Sequence, residues 1–119
     1  MIDTRTLVAE ITASLDNSKA LDIQTLDVRK LTDLVDYMII CSGTSDRHNR
    51  ALAQHLAKDL REKDTPYSSM EGDDSGEWVL IDYFDVIVHI MKPETRQHYD
   101  LERLWDARLE NRANADIAA

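Results

Sequence analysis

Tyr37-Met38-Ile39-Ile40-Cys41-Ser42-Gly43-Thr44-Ser45 is the stretch that decides the fold. Its first five residues are apolar at odd and even positions alike, so a strand made of them is buried on both faces, as a central strand is. Ser42 to Ser45 then break the strand, and a hydroxyl at Thr44 or Ser45 can accept the unpaired amides that open a helix. That helix carries Leu52, Leu56 and Leu60 at four-residue spacing, with Ala53 and Ala57 beside them, and ends near Lys63. A strand that needs cover on both faces, leading straight into an amphipathic helix, predicts a sheet with helices packed on it.

Working outward, Asp3 caps a first helix over Thr4 to Asp16, in which Leu7, Val8, Ile11 and Leu15 recur at helical spacing. Ile23 to Val28 alternates raggedly and reads as a strand with one wetter face, followed by a turn near Leu31 to Asp36. Beyond Pro66 a short strand is expected around Tyr67 to Met70, and the polar, glycine-containing Glu71 to Gly76 is a turn. Trp78 to Ile81 and Asp85 to Met91 form a hairpin through the tight link Asp82-Tyr83-Phe84. Pro93 opens a helix that includes Glu94 to His98, and Asp100 caps a last one bearing Leu101, Leu104, Trp105 and Leu109. The fold class is α/β, a single domain over residues 1–110 in the order αββαβββαα, with residues 111–119 as a frayed tail.

With 119 residues, 43% of them hydrophobic, the chain can bury one core without disulfides. Its apolar runs, Tyr37 to Cys41 the longest and Val86 to Val88 among the others, fall far short of the roughly 20 residues of a membrane span. Asp3, Arg5 and Glu10 interrupt the apolar residues of the N-terminus, so no signal peptide is expected there. One cysteine inside an apolar strand fits a reducing compartment, and the expectation is a cytoplasmic protein. The net charge of −9 disfavours binding to nucleic-acid phosphates. From Glu71 to Glu110 eleven carboxylates face four cations, so seven of the nine excess charges lie there. That acidity solvates the surface, and it also suits a basic protein partner.

Four constellations invite chemistry, and local structure explains most of them. Gly43 to Ser45 lacks the lysine of a P-loop and the glycines of a dinucleotide loop, and helix capping accounts for its residues. Asp82 and Asp85 flank a turn rather than sharing a strand face, which argues against a metal pair for phosphoryl transfer. His48 and His55 are seven residues apart, about 10 Å along a helix, too far to share a zinc ion, and no Cys-x-x-Cys supports His89 or His98. Cys41 in an apolar strand is an inert thiol. No catalytic residue, metal or cofactor is expected. Trp78, Tyr83, Tyr99 and Trp105 are different, because tryptophan and tyrosine interleaved with acidic residues are the types enriched at interface hot spots.

Four segments together resemble a known family. They are Leu26-Asp27-Val28 with Asp36-Tyr37-Met38-Ile39-Ile40; Gly43-Thr44-Ser45-Asp46-Arg47-His48; Glu71-Gly72 with Trp78-Val79-Leu80-Ile81-Asp82-Tyr83 and Asp85-Val86-Ile87-Val88-His89; and Glu94-Thr95-Arg96 with Tyr99-Asp100-Leu101-Glu102-Arg103-Leu104-Trp105. In this order, from about Leu7 to Asp106, they are similar to the ribosomal silencing factors, the Iojap-related family. The resemblance implies a mixed five-stranded sheet flanked by helices, like that of nucleotidyltransferases but without their catalytic carboxylates. It implies a translation repressor that binds large-subunit ribosomal protein uL14 and sterically blocks subunit association when nutrients are scarce. The family motif positions carried over as partner-binding residues are Trp78, Asp82, Tyr83, Asp85, His89, Tyr99 and Trp105. Trp78 and Tyr83 would be apolar anchors, Asp82 and Asp85 would pair with Lys or Arg, and Tyr99 or Trp105 is either interface or core. Phe84 and Asp64 stand where the family pattern has glycine. Competing readings are a divergent nucleotidyltransferase using Gly43 to Ser45, and a homodimer of the free protein through the Trp78 face.

Overall fold

Asp3 starts the first helix by accepting the Thr6 N–H at 2.8 Å on its carboxylate, and that bond holds its pKa below the usual value. The computed structural model describes residues 2–103. Helix α1 spans Thr4–Asn17 and buries Leu7, Ile11 and Leu15. The strands are β1, Leu21–Asp27; β2, Tyr37–Ser42; β3, Ser69–Glu71; β4, Trp78–Asp82; and β5, Val86–Met91. Helix α2, Asp46–Arg61, joins β2 to β3, and α3, Pro93–Tyr99, follows β5.

The five strands form one mixed sheet in the order β1-β2-β5-β4-β3. The interior strand β2 runs parallel to the central β5 from Tyr37↔Val86 to Ser42↔Met91, and the other three pairs are antiparallel. Because side chains alternate along strands, Ile39 and Cys41 of β2, Val79 and Ile81 of β4, and Val88 and Ile90 of β5 point to one face. Leu7, Ile11 and Leu15 of α1 close that face together with Leu52, Leu56 and Leu60 of α2. Each such side chain contributes roughly 2 kcal/mol by leaving water. The opposite face has a smaller cluster, Val28, Met38, Ile40 and Met91, with Leu26, Val35, Trp78 and Leu101 half-buried around it.

Local departures have local causes. β1 begins at Leu21, two residues before its apolar alternation, because Asp22 with φ 54° and an irregular register between Leu21 and Gln24 interrupt the pattern. β3 is shifted to Ser69–Glu71 because it takes its register from β4, Ser69 lying opposite Asp82. Asp64 and Phe84 adopt φ 56° and 72°, the left-handed backbone that glycine would enter freely. Asp100, expected to open the last helix, instead ends α3 with φ 49° and its N–H on the Arg96 carbonyl. Leu101 to Arg103 are helical. Leu104, Trp105, Leu109 and the tail over 111–119 lie outside the described residues.

Candidate functional site

Three amides of the strand-to-helix segment are taken by side chains of the same segment. Gly43 N–H donates to Asn49 Oδ1 at 2.9 Å, Thr44 N–H to His48 Nδ1 at 2.9 Å, and His48 N–H to Ser45 Oγ at 3.0 Å. Asp46 adds a negative charge to the first turn of α2. Since a backbone N–H can only donate, His48 Nδ1 is an acceptor and its proton is on Nε2, which meets the Ser18 carbonyl at 3.0 Å. His55 reaches the Ser18 hydroxyl at 3.1 Å. These two histidines tie the end of α1 to α2, which is a structural task. Cys41 is fully buried, and burial pushes its thiol up to about 12. Among the described residues no three His, Cys, Asp or Glu side chains are grouped to hold a metal.

The face of the sheet away from α1 and α2 is built differently. Alternation along β4 places Trp78, Leu80 and Asp82 there, and along β5 Ile87, His89 and Met91. Trp78 pairs with Met91 and Leu80 with His89, so Trp78 and His89 are diagonal neighbours across the hairpin. The Trp78 Nε1–H donates to His89 Nδ1 at 2.9 Å. An indole can only donate, so His89 is held with its proton on Nε2. Burial lowers its pKa to about 4, which keeps it neutral at pH 7. Tyr99 of α3, 55% exposed, lies on Trp78 with ring centroids 4.9 Å apart, and Trp78 and His89 are 5.7 Å apart. The tryptophan is thus fixed by a hydrogen bond on one side and an aromatic contact on the other, while Leu80, Asp82 and Ile87 remain half-exposed beside it.

The structure therefore brings Trp78, His89 and Tyr99 together and sets Asp82 on the same face. Tyr83 was expected as an anchor, but it is 2% exposed and packs with Val86, Ile81 and the helices. Alternation turns it to the opposite face from Asp82, so its ring is core. Asp82 accepts the Phe84 N–H at 2.7 Å and so shapes the turn, and exposed Asp85 accepts the Thr4 hydroxyl at 3.2 Å. His89 is buried and acts on the surface through Trp78, which it orients. Trp105 lies outside the described residues. Sequence reasoning missed Leu80 and Ile87, whose positions two residues from Trp78 and His89 were the available signal.

Comparison with known proteins shows what the whole chain is similar to. The family model described as ribosomal silencing factor during starvation matches residues 2–118. The chain is 40% identical over 103 residues to the ribosomal silencing factor RsfS of Zymomonas mobilis, covering 87% of this chain and 77% of that one. To the protein of the same name from Chromobacterium violaceum it is 45% identical over 92 residues, 77% of this chain and 75% of that one. A crystal structure of a Chromobacterium violaceum protein superposes with a TM-score of 0.86 at 39% identity, covering 88% of each chain.

Proposed function

The chain belongs to the ribosomal silencing factor family, and from that premise we propose that it binds large-subunit ribosomal protein uL14 through the open face of its sheet. Family members are regulators rather than enzymes, so the work is done by binding. A domain seated on the surface that the small subunit must meet prevents subunit association by occupying space, and translation falls when nutrients are scarce. The cytoplasm is the proposed site of action.

The observation that carries the reading is the fixed Trp78. A large aromatic held by His89 and Tyr99 before binding loses little freedom when a partner covers it, which makes it a suitable anchor. The carboxylate of Asp82 on the same face, and Asp85 at the hairpin, suit the lysines and arginines of a ribosomal protein. The half-exposed Leu80 and Ile87 supply the apolar surface between them.

Sedimentation with purified large subunits, followed by addition of small subunits, tests this. Wild-type protein is expected to pellet with large subunits and to reduce the yield of whole ribosomes. Trp78→Ala is expected to weaken binding by about a hundredfold, the scale of a central aromatic anchor. Asp82→Lys is expected to weaken it further at low salt than at high salt. Wild-type protein that stays in the supernatant at micromolar concentration would overturn the proposal.

A further inference from the structure

The end of the sheet where β4 turns into β5 carries two large apolar side chains that stand outside the core formed by the described residues. Leu34, in the loop before β2, is 85% exposed, and Phe84, at the tip of the hairpin, is 57% exposed. Both stand on pinned backbone. Leu34 N–H donates to Thr32 Oγ1 at 3.1 Å, and Phe84 N–H to Asp82 Oδ1 at 2.7 Å. The Asp36 and Tyr37 amides both donate to the Asp85 carbonyl, at 2.8 and 3.2 Å, which clamps one loop against the other. Phe84 holds φ 72°, a backbone shape costly for a bulky residue, while more than half of its surface stays in water.

Carboxylates alternate with these tips in sequence: Asp33 and Asp36 around Leu34, Asp82 and Asp85 around Phe84. Of the two cations in the loop before β2, Arg29 is bound to Asp27 through two bonds of 2.9 and 2.6 Å, which leaves Lys30 against the four aspartates. The rim is also continuous with the open face, because Asp82 and Ile87 are its last paired residues before the turn. A phosphate backbone is repelled here, whereas a cationic protein segment is attracted.

We propose that Leu34 and Phe84 form a second contact, in which a basic, extended protein segment of the same ribosomal partner lays an apolar side chain between the two tips and its Lys or Arg side chains against the flanking aspartates. This contact rests on the docking reading above and deepens it. It makes Phe84 a determinant of affinity that is separate from the Trp78 anchor.

Titration of the full chain against purified large subunits, with the self-association of each variant followed by sedimentation velocity, tests the proposal. Phe84→Gly is the informative variant, since glycine suits the left-handed turn and the midpoint of thermal unfolding should hold or rise. Phe84→Gly and Leu34→Ser should each weaken binding about tenfold. Leu21→Ser, at the opposite end of the sheet, should leave it unchanged. Wild-type affinity in both Phe84→Gly and Leu34→Ser overturns the second contact and leaves the main docking face standing. No binding by wild type overturns both. Concentration-dependent dimerisation of the wild type that Phe84→Gly abolishes, with subunit affinity unchanged, assigns the tips to a second copy of the chain and also overturns the proposal.

Discussion

The two faces of one sheet differ in what their side chains have for neighbours. On the covered face, Leu52, Leu56 and Leu60 meet Ile39, Val79, Ile81 and Ile90, and every one of these is at most 1% exposed. On the open face the apolar cluster is small, its edge is half-exposed, and the largest side chain, Trp78, is positioned by a histidine and a tyrosine rather than enclosed. The first arrangement is insensitive to what surrounds the protein. The second leaves apolar surface half-exposed among the described residues, and on the proposed function stability and recognition are divided between faces that share the same strands.

That division can be broken by experiment. Leu56→Ala removes a fully buried side chain and is expected to cost about 3 kcal/mol in urea unfolding, while the folded fraction binds large subunits normally. If it weakened binding as much as Trp78→Ala, the two faces would not be independent. The next effect is smaller and belongs to the open face. His89 titrates near 4 when folded and near 6.5 when unfolded, so between these values the unfolded chain binds more protons and stability rises with pH. The contribution is present above pH 6.5 and is lost as pH falls towards 4, by about 2 kcal/mol between pH 7 and 5. Protonation would also put a donor on Nδ1 against the Trp78 N–H, so indole fluorescence should shift in the same interval. His89→Gln should flatten both responses. Smallest is Ser45→Ala, which removes the cap of α2 and should cost about 1 kcal/mol without altering subunit binding.

The covered face was the more legible in sequence. Apolar residues on both faces at Tyr37 to Cys41 and leucines every four residues from Leu52 are local patterns, and they identified an interior strand and the helix beside it. Edge strands were less so: β3 is placed by its pairing with β4, which no local pattern of Tyr67 to Met70 reveals. On the candidate face, residue type singled out Trp78 and Tyr99 and the family resemblance added His89, but their contact depends on hairpin register and on where α3 packs. Tyr83 shows the limit of that approach. An aromatic amid acidic residues suggested an interface, and one step of strand alternation put it in the core.

One buried polar side chain on α2 links two loops in opposite senses. Asn49 is fully buried, and its carbonyl oxygen accepts from Gly43 while its amide nitrogen donates to the Gly76 carbonyl at 2.8 Å. A Cβ at Gly43 would lie 2.3 Å from that oxygen, so the fit leaves no room for adjustment there. Asn49→Asp would replace the donor with an oxygen facing the Gly76 carbonyl oxygen. That one change of atom would loosen the β2–α2 loop and the loop before β4 together, so two segments remote in sequence share a single point of failure.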